Sequence, residues 1–260
     1  MLRNTISLLK RKCNMEVLEF KLRGETAFFK IPEVNTYRYL TYSSIHKVAI
    51  LGLLGSIVGL KGYRLDQEGE YPEFYERLHG LKCSVEIINP MDIKKKYQQF
   101  NNSVGYASKE KGNNLIITEQ WLEKPCWIIR ILVDSIPDEI PLVEYLLNKR
   151  TVYMPYLGKN DHFATIEDVN IVVMEPVEEL KDKIIIKGIF EESMFSIKLE
   201  GRIRKFYKYT EYLPVGLDPI LNQYITKPLT QTDGKLEWGS RTDLLEINLY
   251  KTEDDYYYFM

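Results

Sequence analysis

The sequence is poor in the residues that build metal centres and disulfide frameworks. Its 260 residues contain three histidines that lie in separate segments, at His46, His79 and His162. They also contain three cysteines that are far apart, at Cys13, Cys83 and Cys126. An odd number of cysteines without metal-ligand spacing argues against both kinds of site. We therefore expect no metal, no cofactor and reduced thiols, which are typical of a cytoplasmic protein.

The chain also lacks long apolar runs. A membrane-spanning helix needs about 18–20 predominantly apolar residues, whereas the longest run here, residues 48–60, has 13. Gly52, Gly55 and Gly59 fall within this run. The pattern predicts a buried helix packed closely on a sheet, and no contact with a membrane.

Net charge is small as well, because 35 Lys and Arg stand against 37 Asp and Glu, which leaves −2. A nucleic-acid site must therefore come from local clusters of basic residues. Tyrosine, in contrast, is abundant, with 19 Tyr against 10 Phe, and tyrosine rings suit strands, interfaces and base stacking alike. The chain has no phosphate-loop, dinucleotide-binding or hydrolase motif, so no small-molecule substrate is expected.

The order of predicted elements indicates an α+β fold that begins with a ferredoxin-like, RRM-like β-α-β-β-α-β unit. A strand, a long loop, a helix, two strands, a helix and a last strand are expected at residues 17–22, 24–45, 46–60, 82–89, 126–133, 137–148 and 151–156. Between the second and third strands, a basic and amide-rich stretch at about residues 91–124 is predicted to contain a hairpin.

The same pattern divides the chain into three parts. Residues 1–14 are basic, contain no acid and are predicted to be an N-terminal extension ahead of a natural start near Met15. Residues 15–165 form the ferredoxin-like domain. Residues 166–260 alternate apolar and polar positions with little helix signal, and we expect a smaller β-rich region there.

Basic and aromatic residues interleave in several segments, which is the mixture that holds phosphates and stacks unpaired bases in single-stranded RNA. The predicted RNA-binding residues are Arg23, Gly24, Phe28, Lys30, Arg38, Tyr42, His46, Lys47, Lys94, Lys95, Trp121, Lys124, Tyr156, Gly158 and Lys159. Each segment also has a purely structural interpretation as a solvated loop, an exposed hairpin or a turn. A further basic stretch, GRIRKFYK at residues 201–208, equally fits protection of an edge strand.

His46 allows three interpretations, because it stands at the predicted start of a helix, next to Lys47 and four residues after Tyr42. It can be a structural residue that stabilises the start of the helix and packs inside the protein. It can contact a phosphate, since helix N-termini favour anions. It can also act as a general base in metal-independent RNA cleavage.

Three segments resemble a known family. They are GETAFFKIPEVNT at residues 24–36, TYSSIHKVAILGLLGSIVGL at residues 41–60 and MPYLGKNDHFATIEDV at residues 154–169. Together they resemble the CRISPR-associated Cas-five family of the RAMP superfamily, in its type I-B branch.

The resemblance implies a ferredoxin-like RAMP domain with a thumb at about residues 91–124. It implies a non-catalytic RNA-binding subunit of a type I Cascade surveillance complex, which serves antiviral defence and the maintenance of CRISPR repeats. Such a subunit caps the 5′ handle of the crRNA and contacts the backbone and large subunits. In the I-C subtype the family member itself cuts repeat RNA with Tyr, Lys and His, but here Lys47 follows His46 instead of preceding it.

Three functions therefore remain open from the sequence. The first is the non-catalytic capping subunit, the second is a metal-independent endoribonuclease, and the third is a protein-interaction module whose aromatic residues serve partner proteins only. A protein-interaction module would bind RNA no better than non-specifically and with a shallow dependence on salt.

Overall fold

The computed structural model describes residues 14–33, 38–63, 70–103, 109, 115–178, 183–198, 206–238 and 247–260. These residues form an α+β fold, as predicted, with many strands and three short helices. The helices are α1 Lys47–Val58, α2 Glu73–Leu78 and α3 Leu142–Leu147. The strands are β1 Met15–Arg23, β2 Thr26–Ala27, β3 Cys83–Ile87, β4 Lys95–Asn101, β5 Ile116–Glu123, β6 Cys126–Leu132, β7 Thr165–Pro176, β8 Phe190–Glu191, β9 Phe195–Ile197, β10 Lys208–Leu217, β11 Tyr224–Thr232, β12 Leu236–Trp238, β13 Leu249–Lys251 and β14 Tyr256–Tyr258. The predicted extension at residues 1–14 lies outside the described residues except for its last residue, as do residues 201–205 of the GRIRKFYK stretch.

One antiparallel sheet organises the molecule, with the strand order β14-β13-β7-β1-β6-β3. The far edges of this sheet approach each other. Met260 exchanges two backbone hydrogen bonds with Cys83, at 2.9 and 3.3 Å, and the Ile189 N–H donates to the Val85 carbonyl at 2.7 Å. The six-stranded sheet is therefore nearly closed, and α1 and α3 lie in the connections that follow β1 and β6.

The main core lies between β1, β3 and β6 of this sheet and the helices. The side chains of Leu18, Phe20 and Leu22 point from β1 to one face, where they pack in one cluster with apolar residues of α1. Because β-strand side chains alternate between faces, the neighbouring Val17 packs on the other face, against Phe259 and the last strands. Burial of both faces explains the strongly apolar strands in the sequence.

Arg130 of β6 is a buried charge within this sheet. Its Nε lies 2.6 Å from Glu19 Oε2, and its Nη1 lies 2.9 Å from Glu86 Oε2. Its guanidinium also lies 4.2 Å above the ring of Tyr257. A buried cation needs such partners, so this network links β1, β3, β6 and β14.

The hairpin predicted within residues 91–124 is confirmed by the antiparallel pairing of β4 with β5. Together with β2 these strands form a separate three-stranded sheet. The tip of the hairpin, at residues 104–108 and 110–114, lies outside the described residues.

Two element predictions are wrong. Residues 151–156 are irregular and not a strand, apart from an isolated β-bridge between Tyr156 and Phe163, and the strand that follows α3 is β7. The apolar side chains that suggested a strand, such as Val152 and Met154, are exposed, because the Val152 and Tyr153 N–H groups attach this segment to the last carbonyls of α1. The second helix is also shorter than predicted, since it begins after Pro141.

The last third of the chain is β-rich, but its strands serve two places. β8, β10 and β11 form one sheet, and β9 pairs with β12. Residues of β8, β9, β12, β13 and β14 form a second apolar core around Phe190 and Leu236. The apolar residues of β10 and β11, such as Leu213 and Leu229, belong to the main core. β7, β13 and β14 belong to the central sheet. The predicted boundary at residue 165 falls at the start of β7. No helix in the described ranges is long and apolar enough to cross a membrane.

Candidate nucleic-acid interface

The structure brings three distant segments together: the loop at residues 24–42, the β4–β5 hairpin, and the turn at residues 153–163. The backbone of Tyr39 hydrogen-bonds to Thr118 and Gln120 of β5, at 2.9 and 2.8 Å. The Lys159 ammonium lies 3.3 Å from Glu119 Oε1 on the same strand. Loop, hairpin and turn therefore form one continuous surface rather than three independent clusters.

Two glycines of the predicted site allow the turn to pack closely against the loop. Gly158 has φ +86°, and a Cβ at this position would lie 2.0 Å from the Phe28 carbonyl oxygen. A Cβ on Gly24 would lie 2.6 Å from Leu157 Cδ1. The Phe28 N–H also donates to the Leu157 carbonyl at 3.1 Å. Both glycines therefore allow the chain's own atoms to approach the backbone closely.

His162 and Trp121 fix the junction between the hairpin and the turn. His162 is buried, its Nδ1 lies 2.6 Å from Thr26 Oγ1, and its ring centroid lies 4.7 Å from that of Trp121. The Trp121 Nε1–H donates to Glu119 Oε2 at 2.8 Å. Trp121 was predicted to meet RNA, and in the structure its ring packs on His162. The sequence pattern gave His162 no role, because its partners are more than a hundred residues away or on another strand.

Three predicted aromatic and histidine contacts are inside the protein. Phe28, Tyr42 and His46 are all buried. Burial raises the pKa of the Tyr42 hydroxyl and lowers the pKa of His46 to about 3. Tyr42 therefore supports the shape of the site, whereas Phe28 and His46 also line the cleft beside the turn.

Most predicted basic residues have partners within the chain. The Arg23 guanidinium donates to Glu167 at 2.5 Å, which raises the pKa of Arg23 and lowers that of Glu167. Lys47 Nζ donates to the Met260 carbonyl at 3.1 Å. Lys95 Nζ donates to the Thr41 carbonyl at 3.0 Å, and burial lowers the pKa of Lys95. Lys94 Nζ lies 3.2 Å from Asp92 Oδ2. Lys124 is exposed, with φ 44°, and its N–H donates to the Glu25 carbonyl at 2.9 Å.

Beside the turn lies an open cleft of about 750 Å³ between α1, the loop and β11. Its basic lining residues are Lys30, Lys61 and Lys159, and its tyrosines are Tyr63, Tyr153, Tyr156 and Tyr224. Tyr63, Tyr153 and Tyr156 are 59%, 55% and 44% exposed. None of the lining residues in the described part of the chain is acidic. The cleft therefore combines basic and aromatic side chains, although one of its lysines, Lys159, is paired with Glu119 at 3.3 Å and with Asp161 at 3.2 Å.

Several of these lining residues were not predicted. Lys61 and Tyr63 directly follow α1 in the sequence, and the pattern LKGY that contains them could have indicated a basic, aromatic helix exit. Tyr153 was assigned to a strand. Tyr224 comes from β11, far along the chain, and only the tertiary structure places it here.

A second group of cations lies over aromatic rings on the hairpin. The Arg38 guanidinium lies 5.3 Å from the ring centre of Tyr97, which is 53% exposed. The Lys159 ammonium lies 5.0 Å from the ring centre of Phe100. Such cation–π pairs hold the charges beside the rings. They extend the basic and aromatic surface from the cleft onto the hairpin.

Comparisons with known proteins give structural likeness only. No family model and no curated protein matches the chain. The chain is similar to a chain of a CRISPR RNA-guided surveillance complex, at 14% identity and TM-score 0.48, with 87% of this chain and 96% of the other covered. It is also similar to a CRISPR protein from Archaeoglobus fulgidus, at 10% identity and TM-score 0.46, with 94% and 98% covered.

A third similar structure is a chain of the type III-B Cmr-beta complex bound to cognate target RNA and AMPPnP. Its identity is 10% and its TM-score 0.44, with 93% of this chain and 98% of the other covered. The chain is thus structurally similar to CRISPR-associated proteins. At these identities and TM-scores the similarity assigns neither a family nor a function.

Proposed function

We propose that this protein is a non-catalytic RNA-binding subunit of a type I CRISPR Cascade complex that caps the 5′ handle of the crRNA. The observation that carries the proposal is the cleft, which is lined by three lysines and four tyrosines and by no acidic residue in the described chain. Lysine ammonium groups hold phosphates, and exposed tyrosine rings stack unpaired bases.

The resemblance to the Cas-five family supports the proposal because its motifs build this cleft. Residues 24–36 contribute Lys30, residues 41–60 contribute α1, and residues 154–169 contribute Tyr156 and Lys159. The three motifs are far apart in the sequence but line one cavity. A shared ligand site explains why the chain combines them.

The arrangement of the central strands supports a ferredoxin-like interpretation of the N-terminal unit. β7, β1, β6 and β3 are neighbours in that order and all antiparallel. Helix α1 lies between β1 and β3 in the sequence, and α3 lies between β6 and β7. This is the β-α-β-β-α-β sequence of elements, with the β4–β5 hairpin inserted as the proposed thumb.

The environment of His46 supports a binding role over RNA cleavage. A general base works best with a pKa near the operating pH, whereas burial lowers the pKa of His46 to about 3. The other two side chains of the cleavage hypothesis are also not free to act on RNA. Tyr42 is buried, and Lys47 Nζ donates a hydrogen bond to the Met260 carbonyl.

The proposal is tested by RNA binding and cleavage in one assay. Labelled CRISPR repeat RNA and a scrambled RNA are titrated with the protein, alone and co-purified with the backbone and large subunits, across salt concentrations and with EDTA. We expect selective binding of repeat RNA without cutting. Lys30→Ala, Lys61→Ala and Lys159→Ala should each weaken binding and reduce the salt slope by about 0.7 per lost phosphate contact.

Lys251→Ala is the matched control, because Lys251 lies on β13 and pairs with Glu175 at 3.9 Å, outside the cleft. Equal losses in the control and the cleft variants would disprove the assigned site. Equal affinity for repeat and scrambled RNA in the assembled complex would disprove handle recognition. EDTA-resistant cutting that disappears in His46→Ala would replace the binding role with an endoribonuclease.

A further inference from the structure

The floor of the cleft carries a buried histidine with a fixed protonation pattern. His46 is 2% exposed and is the N-cap of α1, where its Nδ1 accepts a hydrogen bond from the Ala49 N–H at 3.2 Å. A nitrogen that accepts this bond carries no proton. The proton of the neutral ring is therefore on Nε2, which makes Nε2–H a hydrogen-bond donor.

Three aromatic rings hold this imidazole in place. The ring centroids of Phe29, Tyr42 and Tyr224 lie 5.8, 5.4 and 5.2 Å from that of His46, and all three rings meet it edge-on. His46 lines the cleft, and its Nε2 has no hydrogen-bond partner among the described residues. Its N–H is therefore available to water, or to an acceptor of a ligand that enters the cleft.

We propose that the cleft takes one unstacked nucleobase, and that the His46 Nε2–H reads it by donating to a carbonyl oxygen or ring nitrogen of that base. The inference rests on the proposed RNA-binding function and adds a specificity-determining residue to it. The cleft volume of about 750 Å³ accommodates a base with its sugar. The exposed rings of Tyr63 and Tyr156 provide stacking surfaces, and the lysines hold the flanking phosphates.

A neutral donor distinguishes between bases, whereas a cation at the same place would favour any phosphate. Neutral imidazole presents a single directed N–H, and a base without an acceptor at the matching position leaves this N–H unpaired and buried. The lysines provide affinity for every sequence alike. His46 would therefore add selectivity at one position of the handle.

The test combines abasic RNA with His46 variants. Handle RNAs with a single abasic nucleotide at each position in turn are titrated against the wild-type protein and His46→Asn. Asparagine keeps a side-chain oxygen for the N-cap, so α1 keeps its cap, but the shorter side chain withdraws from the cleft. Thermal unfolding of both proteins confirms that the variant is folded.

In the wild type we expect one position at which loss of the base weakens binding about tenfold. For His46→Asn, an abasic nucleotide at this position should weaken binding much less than it does for the wild type. At the other positions, the abasic effect should be the same for both proteins. Because the base recognition needs no protonated histidine, the wild-type penalty should stay constant between about pH 6 and pH 8.

If His46→Asn does not fold, the wild-type protein and base analogues that lack single acceptor atoms give the same information. One analogue at one position should then weaken binding about tenfold. Tyr63→Ala, at an exposed ring of the cleft wall, should reduce the abasic penalty at that same position.

Two results would overturn the inference and leave the proposed function standing. The first is that an abasic nucleotide weakens binding equally at all positions. The second is that His46→Asn weakens binding of every RNA by the same factor, which would indicate a phosphate contact. In both cases the protein would still bind repeat RNA selectively, and the lysine variants would still bind it more weakly. Failure of the assembled complex to bind repeat RNA would instead overturn both.

Discussion

The burial of His46 makes a direct prediction about acid stability. The pKa of His46 is about 3 in the folded protein and 6.5 for an unperturbed histidine. As the pH falls below 6.5, the unfolded chain binds a proton at this position that the folded chain does not bind. The folded state therefore loses stability as the pH falls from 6.5 towards 3.

The size of this loss follows from the pKa difference. One pKa unit corresponds to about 1.4 kcal/mol, so the contribution of His46 between pH 6.5 and pH 5 is about 2 kcal/mol. For a domain with a typical stability of about 5–15 kcal/mol this is a large fraction. The pKa of His162 is also lowered, first by burial, and its contribution has the same sign.

Urea unfolding at a series of pH values between 8 and 5 measures the effect, and His46→Asn isolates it. The variant should lose about 2 kcal/mol less than the wild type over this range. His79→Asn, which replaces an exposed histidine at the end of α2, is the control for removing one histidine. If wild type and His46→Asn lose the same stability on acidification, His46 is not a buried neutral group, and the donor argument for the cleft fails with it.

Three further predictions concern the framework of the site. Gly158→Ala should lower the melting temperature in calorimetry by several degrees, since its Cβ would meet the Phe28 carbonyl, and an unchanged value would show that the turn is not seated there. Arg130→Ala should cost about 3 kcal/mol in denaturant unfolding, because its two carboxylate partners lose their buried cation, and a loss below about 1 kcal/mol would contradict the network. Burial raises the pKa of the Cys83 thiol to about 11, so an alkylating reagent should modify Cys126 well before Cys83 in the folded protein, and the reverse order in mass spectrometry would contradict that burial.

Local patterns in the sequence were enough to predict much of the framework. The first strand, the long apolar helix and the buried strand that became β6 follow from alternation and from apolar runs, which short-range sterics and burial determine. Of the hairpin, the sequence pattern indicated the arm that became β5, while the partner strand β4 is polar and amide-rich. The helix start at His46 was placed within a residue, because the N-cap side chain acts only on its own first turn.

Tertiary contacts decided the rest. A strand was predicted at residues 151–156 as the last element of the β-α-β-β-α-β order, but the Val152 N–H donates to the Ile57 carbonyl of α1 instead of to a neighbouring strand. Trp121 looks like a base-stacking ring in the sequence, and in the structure its partly buried ring also packs edge-on against His162. Tyr224 reaches the cleft from β11 and has no local signal at all. Such long-range pairings are not encoded in any short window of sequence.

The predicted basic residues differ in role because some are paired within the chain and others line the cleft. Arg23 and Lys47 have partners inside the chain, so they stabilise the fold and offer little charge to a ligand. Lys30 and Lys61 line a cleft that has no acidic lining residue in the described chain, and Lys30 Nζ lies 4.1 Å from the ring centre of Tyr39. RNA would use the exposed tyrosines through base stacking and the lysines through phosphate contacts. A protein partner would use the same tyrosines through apolar area and the lysines through its carboxylates, so the salt dependence and sequence selectivity of RNA binding are what separate the two roles.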